Sequence, residues 1–227
     1  MEQTVSMKII ARIKSDFSSK FGIPRQSGLV EQLQSTIIFE PKYRNADALR
    51  GLEEFSHLWI LWHFSENVRE DWSPTVRPPR LGGNSRLGVF ATRSPFRPNE
   101  IGLSCVKIAA IENTEEYGTV IHVSGADLLN NTPIFDIKPY IPYCDCQVDA
   151  SGGFTDRVSD FSLVVNIPPE LLDMVPESKQ EALIGVLSHD PRPSYQNDES
   201  RIYGLDFAGQ NIRFQVRDGI LTVVQVI

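Results

Sequence analysis

Short runs of β-branched and aromatic residues, each broken within ten positions or so by Gly, Asn, Ser or Pro, constrain this chain more than any other feature. "KIIARIK" (8–14) sets Ile9, Ala11 and Ile13 against Lys8, Arg12 and Lys14, with Ile10 as the imperfect position. That period of two belongs to a half-buried strand. "HLWILWHF" (57–64), "RLGVFAT" (86–92), "LSCVKIAAIE" (103–112) and "GTVIHVSG" (118–125) are equally short and similarly bounded. Several short strands at such spacing predict a closed or nearly closed antiparallel sheet. One short helix is expected among them, with Asn45 capping "ADALRGLEEF" and Leu49, Leu52 and Phe55 on a common apolar side. Trp59, Trp62 and Trp72 are expected to fill core.

Character changes near residue 150, where "DASGGFTDRVSD" is small, polar and rich in glycine. Beyond it come a strand, "FSLVVNI", and a helix, "PESKQEALIGVLSHD". Pro176 sits near the helix start, Ala182, Leu183, Val186 and Leu187 form its apolar stripe, and Pro191 marks its end. In "IRFQVRDGILTVVQVI", Ile212, Phe214 and Val216 alternate with Arg213, Gln215 and Arg217 before an Asp218-Gly219 hairpin turn. The expected fold is therefore mainly β. A small antiparallel β-barrel occupies residues 1–150, and a small α+β domain occupies 151–227.

The 227 residues suffice for one or two domains with a proper core, and 41% hydrophobic residues with 22% charged ones fit an ordinary soluble protein. "HLWILWHF" is far too short to cross a bilayer, and the first residues lack the long apolar core of a secretion signal. Three cysteines cannot all pair, which points to a reducing cytoplasm. Cys144 and Cys146 form a C-x-C, but no second Cys or His cluster follows at ligand spacing, so no metal is expected.

Charge is distributed unevenly. The chain carries 22 basic and 29 acidic residues, a net charge of −7. Yet Thr75 to Gly102 holds Arg77, Arg80, Arg86, Arg93 and Arg97 against one carboxylate, Glu100. Arginine offers a planar fork suited to carboxylate or phosphate. Such residues can merely pair with surface carboxylates, but these are nearly absent locally, so the cluster points to an anionic ligand. Pro95 and Pro98 stiffen the loop around Phe96 and Arg97, and Gly82-Gly83-Asn84 permits a tight backbone approach.

No phosphate-binding loop, dinucleotide glycine fingerprint, nucleophile elbow or H-E-x-x-H is present. Two further clusters carry polar groups. "FGIPRQSG" sets Arg25 and Gln26 beside the rigid Pro24, which also suits an ordinary surface turn. "GADLLNNTPIFDIKPY" places Asp127 just past a strand, ahead of the turn pair Asn130-Asn131. Such an aspartate can accept hydrogen bonds from ribose hydroxyls or ligand amines, or simply form a turn.

Taken together, "FGIPRQSGLV", "LRGLEEFSHLWILWHF", "PTVRPPRLGGNSRLGVFATRSPFRPNEIGLS", "ADLLNNTPIFDIKPYIPY" and "DPRPSY" resemble, in this order, the TsaA-like family, the tRNA methyltransferase O proteins. The resemblance implies a homodimeric, S-adenosylmethionine-dependent methyltransferase on a small β-barrel. It implies tRNA as partner, with methylation at N6 of threonylcarbamoyladenosine beside the anticodon. Carried over by position, it implies cofactor contacts at Pro24, Arg25, Gln26, Ser65, Glu66, Arg93 and Leu103, and along Asp127, Leu128, Leu129 and Asn130. Asp127 becomes the candidate general base, and Arg77, Arg80, Arg86 and Arg97 the candidate RNA contacts. Two departures stand out: Glu100 where the family usually has Pro, and Asn130-Asn131 where it usually has Asp-Gly. Two alternatives stay open, a non-catalytic RNA-binding module and a methyltransferase with another acceptor.

Overall fold

A computed structural model of the protein describes residues 3–67, 71–78, 85–157, 162–193 and 198–227. Strict alternation builds the first layer. In β3 (His57–His63) Leu58, Ile60 and Trp62 turn inward, while in β1 (Ala11–Lys14) Ala11 and Ile13 do so. They meet inward residues of β2 (Gln34–Phe39), β6 (Ile101–Thr114), β7 (Gly118–Ser124) and β8 (Pro133–Pro139). The six strands pair in the order β1-β2-β7-β6-β3-β8, every pairing is antiparallel, and β8 returns to β1 to close the barrel.

Two expected elements differ. "ADALRGLEEF" forms two 3-10 turns, Ala46–Leu49 and Leu52–Glu54, rather than one helix. Asn45 does cap the first, accepting from the Asp47 N–H at 3.0 Å, but Gly51 adopts φ +88°, which ends a right-handed helix. "RLGVFAT" gives only a two-residue strand, β5 (Leu87–Gly88), paired outside the barrel with β4 (Thr75–Val76). Val89 to Ala91 then turns as a 3-10 helix. Of the tryptophans, Trp62 is buried, Trp59 is half-buried, and Trp72 is exposed, contrary to its expected place in the core.

After a short helix, α1 (Pro142–Asp145), the chain enters a second sheet ordered β10-β11-β12-β9. Its strands are β9 (Val164–Asn166), β10 (Tyr203–Phe207), β11 (Gln210–Arg217) and β12 (Ile220–Val226). Asp218 and Gly219 both take positive φ, the geometry that a two-residue hairpin turn requires. Between β9 and β10 lie α2 (Pro169–Leu172) and α3 (Glu177–Ser188), and α3 buries Ala182, Leu183, Val186 and Leu187 against the sheet.

The link between β1 and β2 joins the two units. Phe17, Val30 and Leu33 belong to the same core as α3 and the second sheet, and Phe17 meets Phe207 edge-on at 5.6 Å. At the border Lys179 pairs with Asp16 at 2.6 Å, both largely shielded. The Phe21–Val30 loop is thereby held between the barrel and the second sheet, and this loop supplies one wall of the cavity described next.

Candidate active site

A cavity of about 420 Å³ opens where the ends of β3 and β6 meet the β1–β2 link and the arginine loop. That is the size range of small-molecule and cofactor sites. Pro24, Arg25 and Gln26 line one side, and Ser65 and Glu66 follow β3 on another. Arg93, Leu103, Asp127 and Leu129 complete the set of expected residues that converge here. Leu128 and Asn130 do not line it. Neighbours in an extended segment face opposite ways, so Asp127 and Leu129 look into the cavity while Leu128 is buried in the barrel core. Asn130 turns towards β1, where its Oδ1 accepts from the Ser15 N–H at 3.1 Å.

Ser104 has no signal in the sequence, and Trp62, expected only as core, also lines the cavity; the importance of both comes from register. Gly102 lies opposite Trp62 in the β3–β6 pairing. A Cβ on Gly102 would sit 2.2 Å from an indole carbon, so only glycine lets the ring lie against this strand. The Trp62 Nε1–H then donates to Ser104 Oγ at 3.0 Å, and the Ser104 hydroxyl donates to Asp127 Oδ1 at 2.6 Å. Ser104 itself is buried. Burial pushes the Asp127 carboxyl above its ordinary pKa, while the Ser104 hydroxyl, the positive Arg93 and the Ser27 backbone N–H pull it back only in part.

The rim is fixed by further polar contacts. Arg93 Nη1 donates to Gln26 Oε1, and Arg25 Nη2 donates to the Arg192 carbonyl at 3.5 Å. Arg192 forms a shielded two-pronged pair with Asp190, at 2.9 and 3.0 Å, which brings the "DPR" stretch to the cavity-lining loop. Lys20, also missed in the sequence, donates to the Glu66 carbonyl at 2.8 Å and to Asn67 Oδ1 at 3.1 Å. Glu100, the unusual carboxylate beside the arginine loop, faces His63 Nε2 at 3.3 Å. The other departure is structural too, since Asn131 adopts φ +67°, the conformation a glycine would take there.

The candidate RNA arginines separate. Arg97 lines the cavity, and its Nη1 donates to the carbonyls of Val89 and Thr92 at 3.1 and 2.7 Å. Arg77 and Arg86 are exposed and lie outside the cavity lining, with Arg86 Nη1 donating to Thr75 Oγ1 at 3.4 Å. Arg80 and the Gly82–Asn84 turn lie outside the described residues. Among the described residues no helix is long and apolar enough to cross a membrane, and no cluster of three metal-binding side chains occurs.

The raised pKa of Asp127 has a consequence for stability. The folded carboxyl holds its proton more firmly than the unfolded one, so ionising it costs folding free energy. Its contribution favours the fold below the ordinary carboxylate pKa and is lost as pH rises through the raised value. Asp127→Asn keeps an acceptor for Ser104 and removes the buried charge. The variant should melt above the parent at pH 7 and lose that advantage in acid, as followed by thermal denaturation. A variant that melts no higher than the parent at pH 7 contradicts this account of Asp127.

The geometry can be set beside known proteins. Residues 12–146 match the family described as the tRNA-methyltransferase O N-terminal domain, and residues 164–227 match its C-terminal domain. A tRNA (adenine(37)-N6)-methyltransferase of Escherichia coli strain K12 is 40% identical over 217 residues, covering 92% of each chain. A Pseudomonas aeruginosa protein, assigned provisionally by name to the S-adenosylmethionine-dependent methyltransferases, is 40% identical over 89% of this chain and 88% of its own. The crystal structure of TrmO from Pseudomonas aeruginosa superposes with a TM-score of 0.81 at 32% identity, covering 99% of both chains. With two matched domains, a relative aligned along nearly its whole length and a shared barrel, the chain belongs to the tRNA-methyltransferase O family.

Proposed function

We propose that this chain is an S-adenosylmethionine-dependent tRNA methyltransferase acting at N6 of threonylcarbamoyladenosine beside the anticodon, as a cytoplasmic homodimer. The observation that carries this reading is the shielded Asp127 carboxylate, set in one cavity with Arg25 and Arg93 beneath an arginine loop. The names of the relatives from Escherichia coli and Pseudomonas aeruginosa support the donor and the tRNA acceptor.

The lining fits a zwitterionic, positively charged donor. A carboxylate that is costly to ionise alone gains from a cationic neighbour, and Asp127 can hold an amine, a ribose hydroxyl or a positive centre. Arg25 and Arg93 can pair with a carboxylate. Trp62, Ile23 and Leu129 supply apolar wall and exclude water. When bound, S-adenosylmethionine supplies a methyl group on a positively charged sulfur, already activated for transfer to nitrogen. The residues therefore chiefly align and dry the site, a contribution worth on the order of 7–11 kcal/mol when geometry is favourable. Desolvation makes Asp127 a stronger base than an exposed carboxylate, suited to accepting the proton that leaves N6. The carbamoyl group makes that proton easier to lose than in plain adenosine. The threonyl carboxylate is a further anion, and Arg97 can meet it with the Nε and Nη2 hydrogens that its two loop-bracing bonds leave unused.

Roles separate by substitution. Arg93→Ala and Asp127→Ala should each weaken S-adenosylhomocysteine binding by about 1.5–3 kcal/mol, the worth of a charge-assisted hydrogen bond. Arg77→Ala should leave that affinity intact and weaken tRNA binding across sequences, lowering the salt slope by about one. Calorimetry for the nucleoside and salt-titrated RNA binding would check both. Normal nucleoside binding by the Arg93 and Asp127 variants, with folding intact, would contradict the assignment.

The acceptor is tested with tRNA carrying or lacking the threonylcarbamoyl group, at matched salt, with nucleosides analysed by mass spectrometry. A polar site left with unpaired groups rejects such an incomplete substrate by roughly 10⁴-fold or more. Equal turnover on both RNAs would refute this acceptor.

A further inference from the structure

Two aromatic rings, one just before the arginine-rich segment and one within it, have no place in either core. Trp72 is 47% exposed and Phe90 is 69% exposed. They stack on each other with centroids 6.0 Å apart and planes 25° apart. Exposing this much paired aromatic surface is unfavourable for a protein that gains nothing from it.

Their surroundings say what would cover them. The Arg97 guanidinium lies 5.6 Å from the centroid of the Phe90 ring and also lines the cavity, so one side chain touches both places. Backbone hydrogen bonds hold the two rings to one scaffold: Val89 N–H to the Pro74 carbonyl at 3.0 Å, and Ser73 N–H to the Phe96 carbonyl at 3.3 Å. The scaffold is the stretch from Trp72 to Gly102, directly after Asp71, with five arginines and one carboxylate on a chain that is otherwise strongly acidic. That carboxylate, Glu100, lies 3.3 Å from His63 Nε2 at the end of β3. Aromatic faces within a positive field suit a ligand that has flat π-surfaces joined by negative charges, which is single-stranded nucleic acid. A second acidic copy of this chain also complements the arginines in charge, but nucleic acid adds a flat π-face for each ring to stack on.

We propose that Trp72 and Phe90 form a stacking platform for an unpaired nucleobase of the RNA, one that neighbours the base entering the cavity. The proposal rests on the tRNA reading above and adds a binding site to it. A base entering the cavity must leave its stack, and the exposed neighbour loses a partner. The platform restores that partner. It also sets the strand's register, because Arg97 links the platform to the cavity mouth. Any base can stack there, so the site contributes affinity and positioning with little sequence preference.

The test uses the full-length protein and an anticodon stem-loop RNA carrying threonylcarbamoyladenosine. Trp72→Ala and Phe90→Leu should each raise the Kd for this RNA and the KM for methylation by about 10-fold or more, the usual worth of one base–aromatic stack. The aromatic replacements Trp72→Phe and Phe90→Tyr should stay close to the parent, which separates stacking from general apolar contact. Affinity for S-adenosylhomocysteine and the sedimentation behaviour of all four variants should match the parent. RNA affinity unchanged in Trp72→Ala and Phe90→Leu would overturn the platform while leaving the methyltransferase reading intact. A Trp72→Ala variant that changes oligomeric state would overturn it in favour of a contact between copies. A parent that binds RNA but methylates none would sink the functional reading, and the RNA affinities would still judge the platform.

Discussion

The contact between Gly102 and the Trp62 ring governs the site. Two strands are paired residue for residue, and at one position a large aromatic lies over a residue with no side chain. Because the indole can settle there, its N–H reaches Ser104, and Ser104 in turn reaches Asp127. A methyl group at position 102 would displace the ring and break this chain of hydrogen bonds at its origin. The barrel thus does more than support the cavity. Its register aims a buried carboxylate into the cavity and keeps both polar partners satisfied.

Electrostatics divides the molecule into a discouraging body and an inviting mouth. The acidic surface disfavours indiscriminate binding to nucleic acid, whereas the segment from Thr75 to Gly102 concentrates positive charge. Two arginines that line the cavity with Asp127 are already oriented by neighbours, Arg93 by Gln26 and Arg25 by the Arg192 carbonyl. Such prior fixing lowers the ordering cost of binding a charged ligand. It also gives the C-terminal part of the chain a physical connection to the site, since the Asp190–Arg192 pair holds the carbonyl that Arg25 reaches.

Much of this was legible in the sequence where local chemistry decides the outcome. Alternation in residues 212–217 and the Asp218-Gly219 pair produced the expected hairpin, because positive φ at both turn positions is a local preference. The stripe Ala182, Leu183, Val186 and Leu187 became the buried face of α3 for the same kind of reason. Gly51 broke the expected helix because its own conformational freedom outweighed a good cap at Asn45. Trp72 departs from its expected core position because hydrophobicity alone does not distinguish a core ring from one held out on a loop. Ser104 is invisible because Trp62 lies 42 residues away and meets it only through the β3–β6 pairing, and Lys20 because the Glu66 carbonyl lies 46 residues away in the turn after β3. Phe17, Val30 and Leu33 likewise gave no sign that they would pack beneath the second sheet. The run from Asp127 to Asn130 looks in sequence like one lining, whereas its residues face different ways.

The proposed site for the methyl donor is the cavity between the Pro24–Gln26 loop, Arg93 and Asp127. A crystal structure of the protein with S-adenosylhomocysteine tests it most directly. Ligand density is expected in this cavity, with polar atoms of the ligand within hydrogen-bond reach of Asp127 and at least one of Arg25 and Arg93. Well-ordered ligand bound elsewhere, with Asp127 still bonded only to Ser104 and the backbone, would contradict it.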